Sequence, residues 1–241
     1  MNGGLNNMEN FNIVQIITTV LAWGVIGYIA SRMYKKQLEK PKVWKIILII
    51  MAGIFSFSIN WSLFNTVIQI SILPLGVWIL YAFLNGKRDR WKTYRSFAWL
   101  GFFANYLLLV STLMAIPVYF LLYPHNDPAT YISNVEDASI INTHPSAKEQ
   151  SLIKNNLQKQ IHSLKEAEIY NDEWYKETYM NTDIHKRNER FPYILTNISP
   201  KWGSGIKTMV YIEDDGKGLL IITANKEKYF RSDHSLFEEV K

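Results

Sequence analysis

His185 and Glu189 stand four residues apart, so on a helix they would share one face, with Asp183 close by. An imidazole and a carboxylate at that spacing can begin a divalent-metal site, but a working site needs further ligands in a defined geometry. Their neighbours, Lys186, Arg187, Asn188 and Arg190, are those of an exposed charged face. The pair is the best metal candidate in the chain and a weak one; no metal and no cofactor is expected. Asp214 and Asp215 invite a calcium reading, yet the alternating acidic pattern with a distal glutamate is missing, and a solvated turn explains them better. Gly203-Ser204-Gly205-Ile206-Lys207-Thr208 has the composition of a phosphate loop without its spacing, and it is no nucleophile turn either. A turn leading into a strand is the reading that its glycines and serine favour. Cysteine is absent, which removes disulfides and thiolate metal sites.

The elements around these residues read as a small α+β domain covering 146–241. Ser146 and Glu149 have the spacing of a capping box. Behind them Ile153, Leu157, Ile161 and Leu164 form one apolar stripe at helical steps, continued by Ile169, Tyr170, Trp174 and Tyr175. The stripe serves equally to cover a sheet or to fill a partner's groove, and it is the candidate interaction surface if exposed; the core reading is preferred. After Phe191-Pro192 the period changes to two. Strands are expected over 193–198, 206–212 and 219–223, with a turn-rich loop at 213–218, and another near Tyr229-Phe230. Residues 124–145 read as linker, with Ile140-Ile141 able to pair as a strand.

The first half of the chain has another character. Up to Tyr123 there are eleven basic and only three acidic residues, a balance of +8, whereas the rest carries fifteen basic and eighteen acidic, a balance of −3. The net charge of +5 and sequence pI near 9.1 therefore do not describe a nucleic-acid binder. The positive charge sits in two short segments, Arg32 to Lys45 and Lys87 to Arg95, between long apolar runs. A crossing helix needs about 20 apolar residues. The runs support four such helices, at about 13–31, 46–62, 66–84 and 97–123, the middle two made by folding back one uncharged stretch near Asn60-Trp61-Ser62. The positive-inside rule places both basic segments in the cytoplasm. Residues 1–12 then form a short outer tail, and the C-terminal domain lies outside. No Asp, Glu, Lys, Arg or His falls within the four spans.

The expected fold class is thus membrane all-α, four transmembrane helices with both termini out, followed by a small extracytoplasmic α+β domain. A composition rich in Lys, Asn and Ile fits a bacterium with an AT-rich genome, and with the apolar runs the expected location is the bacterial cell membrane. The expected role is a non-enzymatic binding, sensing or assembly module in a multi-pass protein. Its partners would be the lipid bilayer and another membrane or envelope protein, with no nucleic acid. Two alternatives accompany it: an accessory subunit of a transport or export system, and an extracytoplasmic enzyme whose site is dispersed in sequence.

Overall fold

A computed structural model describes residues 12–38, 40–63, 66–86, 90–169, 188–224 and 226–237. The chain divides into two compact units, Val14–Val118 on one hand and Tyr119–Lys241 with the segment ending at Ile13 on the other.

The first unit is mostly helical. Helix α1 (Ile13–Lys35) and helix α4 (Arg90–Leu122) are long and apolar enough to cross a membrane. Between them lie two short apolar helices, α2 (Val43–Ile54) and α3 (Leu75–Leu84). They flank an antiparallel hairpin of β1 (Phe57–Leu63) and β2 (Thr66–Leu73). The chain therefore combines a membrane-helix part with a small α+β domain. Ile26 of α1, Ile46, Ile49 and Ile50 of α2, Val77 of α3 and Phe97, Ala98 and Leu100 of α4 share one buried core. Small residues let the backbones meet. A Cβ on Gly53 would stand 2.3 Å from the Ala98 carbonyl oxygen, and one on Gly76 would stand 1.8 Å from that of Ala52. Glycine is required at both positions, in the manner of membrane helices that associate through their smallest residues.

The hairpin corrects the expectation of unbroken helices over 46–62 and 66–84. Phe57-Ser58-Ile59-Asn60-Trp61-Ser62 alternates apolar and polar residues, the period of a strand with two unlike faces. Val67, Ile68, Ile70 and Ile72 are β-branched, which favours extended backbone. Pro74 biases Leu73 away from helical angles and stands at the N-cap of α3. The uncharged run hides all this from a hydropathy reading.

Among the described residues of the second unit, six antiparallel strands lie in the order β3-β5-β6-β7-β8-β4. They are β3 (Ser139–Asn142), β4 (Lys165–Glu166), β5 (Tyr193–Thr196), β6 (Thr208–Ile212), β7 (Gly218–Thr223) and β8 (Glu227–Arg231). Alternate residues of the central strands enter the core: Tyr193 and Leu195, Val210 and Ile212, Leu219 and Ile221. Helix α5 (Lys154–Gln160) and the 3₁₀ turn after it bring Leu157, Ile161 and Leu164 onto that face.

Two expectations change here. Residues 124–145 are part of the domain, because β3 pairs with β5 and Tyr131, Ile132, Val135 and Ala138 are buried in its core. The capping box does not form: α5 begins at Lys154, and the Ser146 hydroxyl accepts the backbone N–H of Glu189 at 3.0 Å instead. That distant donor outcompetes a local helix start. Tyr170, Trp174 and Tyr175 lie outside the described residues.

Leu157 is fully buried. Leu157→Ala should cost the domain roughly 2–5 kcal/mol, the range for truncating a well-packed core leucine. Thermal unfolding of the purified chain in detergent, followed by far-UV circular dichroism of the sheet, measures it.

Candidate functional site

Ionisable side chains in the second unit converge at the turn between β6 and β7. Glu213 follows β6 immediately, in line with Met209 and Tyr211 rather than with the core-facing Val210 and Ile212. Although it is on the sheet face away from the core, Glu213 is only 8% exposed. Four residues account for this. Arg190, just before β5, donates its Nε to Glu213 Oε1 at 2.8 Å. Tyr229 of β8 donates its hydroxyl to Oε2, and Arg231, two residues on and so on the same face, donates a guanidinium nitrogen to that oxygen. Gly218 supplies the space: a Cβ there would lie 2.0 Å from Glu213 Oε2 and 2.7 Å from the Tyr229 hydroxyl.

The network is balanced. Arg231 also pairs with Asp215, so two guanidinium groups face two carboxylates. The Arg190 guanidinium lies over the rings of Phe191 and Tyr229, at 5.4 and 5.5 Å from their centroids, and those rings meet edge to face. Burial, and after it the hydrogen bond to Glu213, push the Tyr229 phenol above its ordinary value of 10.0, so it stays a donor. Burial opposes the charge on Arg231, but the Tyr229 hydroxyl and the carboxylates of Glu213 and Asp215 raise its pKa on balance. Each charge already holds its opposite, which is the arrangement of a structural clasp joining β6, β7, β8 and the chain before β5.

The residues singled out in the sequence fall elsewhere. Leu157, Ile161 and Leu164 are in the core, and Ile153 is partly buried beside them, its N–H bonded to the Leu236 carbonyl at 3.0 Å. Glu189 turns its carboxylate back onto the N–H groups of Arg190 and Phe191, at 3.1 and 3.4 Å. His185 lies outside the described residues. Asp215 accepts the N–H of Lys217 at 2.8 Å and holds Arg231, the behaviour of a turn residue. Among the described residues no three His, Asp or Glu side chains gather where a metal ion could be held. Sequence reading missed Arg190, Glu213, Tyr229 and Arg231 as a group, because residues from three separate segments have no spacing in common. Gly218 opening a strand was the one local signal.

Among the described residues Ser146 and His144 come near to a nucleophile and base, with Oγ and Nδ1 2.8 Å apart. The same nitrogen accepts the Ser146 backbone N–H at 3.2 Å, so the contact closes a local turn. His125 is the more sensitive group. Its Nδ1 meets the Tyr131 hydroxyl at 3.2 Å. Burial, then the charges of Lys226 and Lys228, lower its pKa from the ordinary 6.5.

Compared with protein families, curated proteins and solved structures, the chain shows no match.

Two measurements test these assignments. Glu213→Ala leaves two guanidinium groups without their shared carboxylate and should cost about 3 kcal/mol, the low end for breaking a buried pair because Arg231 is partly solvated. Asp215→Asn, at the exposed end, should cost under about 1 kcal/mol. Denaturant titration of the purified chain reads both. For His125 the neutral form is favoured on folding, so the unfolded chain binds the proton more readily. Stability should fall as pH drops through 6.5 and below, and His125→Asn should flatten that slope. Melting temperatures between pH 7.5 and 5.5 provide the check.

Proposed function

We propose that this chain is a multi-pass membrane protein whose C-terminal domain stands outside the cytoplasm and acts as a non-enzymatic binding, sensing or assembly module. The observation that carries the orientation lies within the second unit. The Ile13 N–H, at the start of α1, donates to the Gly203 carbonyl at 3.0 Å. The hydroxyls of Tyr119 and Tyr123, at the end of α4, donate to the Ser204 and Trp202 carbonyls, both at 2.9 Å. One loop of the C-terminal domain thus holds the first residue of the first crossing helix and the last turn of the last. That supports an even number of crossings, with the domain on the side of both ends. The basic segments at 32–45 and 87–95 belong to the opposite ends of the same helices, and the positive-inside rule assigns those to the cytoplasm.

The hairpin leaves this parity unchanged. Whether α2 and α3 cross or dip in and return, the segments on either side of them emerge on one face. The proposed partners are the lipid bilayer and another membrane or envelope protein. The self-neutralised cluster around Glu213 supports a binding role over a chemical one, since general acid–base catalysis needs a group poised to exchange its proton with substrate. A second reading, an accessory of a transport or export system, is favoured by the break between α2 and α3, because interrupted membrane helices commonly mark a path or site.

The chain has no cysteine, so single replacements report position without background. Asp233→Cys should react with an impermeant thiol reagent in intact cells, and Leu38→Cys only after permeabilisation; the reverse pattern would sink the orientation. Proximity crosslinking in native membranes, comparing the full chain with residues 119–241 exported alone, separates the two roles. A partner captured by both supports recognition by the exported domain. One captured only by the full chain favours the transport or export accessory.

A further inference from the structure

Helices α2 and α3 are too short to cross a bilayer. At about 1.5 Å per residue they rise about 18 and 15 Å, against a hydrocarbon core of roughly 30 Å. Side-chain contacts fix where α2 ends. The Asn105 amide of α4 donates to the Ile54 carbonyl at 3.0 Å, and the Tyr106 hydroxyl donates to the Ser71 carbonyl at 2.5 Å. Asn105 stands ten residues beyond Arg95, the last charge before the apolar run of α4, and Ile54 stands nine beyond Lys45. Both counts give a rise of about 14–15 Å, half the hydrocarbon thickness. Resting on the orientation proposed above, the base of the hairpin is at mid-depth, where Ser56, Ser58 and Ser71 bond one another at 2.8–3.2 Å.

A two-stranded ribbon leaves backbone groups unpaired along both outer edges, and at membrane depth such backbone is tolerated only inside protein or against water. The register sorts the hairpin's side chains. Ile59 opposite Ile70 and Trp61 opposite Ile68 form one face; Ser58 opposite Ser71 and Asn60 opposite Gln69 form the other. Asn60 and Gln69 are both exposed, and none of these eight residues is charged.

We propose that β1 and β2 line a water-filled crevice, open to the extracytoplasmic side and closed at mid-depth. Asn60 and Gln69 face the water, the buried Ser71 with Ser56 and Ser58 closes the inner end, and Ile59 and Ile70 face lipid and the helices. Its floor is the glycine-mediated backbone contact of α2 with α3 and α4 together with the Asn105 amide. Hydroxyl and amide groups without any ionised side chain suit water and small uncharged hydrogen-bonding solutes; an ion would find no counter-charge.

Single-cysteine chains Asn60→Cys, Gln69→Cys, Ile59→Cys and Ile70→Cys in intact cells provide the test, with a charged, impermeant thiosulfonate as the probe. Asp233→Cys and Leu38→Cys report orientation, and monodisperse elution in detergent with full labelling after denaturation verifies each variant. The expected result is labelling at positions 60 and 69 at least tenfold faster than at 59 and 70. If Asp233→Cys labels while none of the four does, protein covers the hairpin and the crevice is overturned, with the orientation intact. Equal labelling of all four would put the hairpin outside the membrane and overturn it as well. If Leu38→Cys labels in place of Asp233→Cys, the orientation and the crevice fall together.

Discussion

A peptide N–H or C=O placed in hydrocarbon has no water to bond, and leaving it unpaired costs several kcal/mol. The apolar half of this chain is organised around that constraint. Helices α1 and α4 meet it internally along most of their length, the exception being Pro117 of α4, which has no N–H to give to the turn before it. Helix α2 meets it at its free end by giving the Ile54 carbonyl to Asn105 and the Phe55 carbonyl to the Gly76 N–H at 2.7 Å. That second bond requires two backbones in contact, so Gly76 can carry no side chain. Gly53 plays the same part against α4. The glycines, the asparagine in the uncharged stretch of α4 and the serines at the hairpin base are thus parts of one solution, under the proposed topology, to ending a helix inside an apolar layer.

The C-terminal domain follows the same rule with charges. Glu213 is nearly excluded from water, and such a carboxylate is tolerated only when its oxygens are filled. Arg190, Tyr229 and Arg231 fill them, and Gly218 keeps the space open. The clasp locks the sheet face that α5 does not cover, so the domain is secured by apolar burial on one side and a closed polar network on the other. The loop at 201–204, gripped by Ile13, Tyr119 and Tyr123, shows that the ends of α1 and α4 belong structurally with this domain.

Much of this was legible in the residues. The Ile206 to Ile212 and Leu219 to Thr223 runs flanking a turn gave the central hairpin of the sheet, and the stripe at Leu157, Ile161 and Leu164 gave its covering face. Charge segregation separated the two halves. What escaped was of two kinds. The strand period of 57–62 was present, but an uncharged run of this length reads as helix when hydropathy is weighed before alternation. The cluster at Glu213 is non-local: Arg190 and Glu213 are 23 residues apart and meet only because β5 and β6 pair. No spacing rule reaches such a contact. The capping motif at Ser146 failed for the same reason, since its hydroxyl is taken by Glu189, 43 residues on.

The proposed crevice depends on how the backbone of β1 and β2 is satisfied where α2 and α3 stop. Amide hydrogen exchange of the whole chain in lipid nanodiscs, resolved to segments by mass spectrometry, addresses it directly. Outward-facing amides of residues 57–62 and 67–73 should exchange orders of magnitude faster than those in the middle of α1 and α4, because water reaches the hairpin edges and not the helices. Protection of the hairpin as deep as that of α4 would contradict the account, since its edges would then be paired with protein rather than wetted.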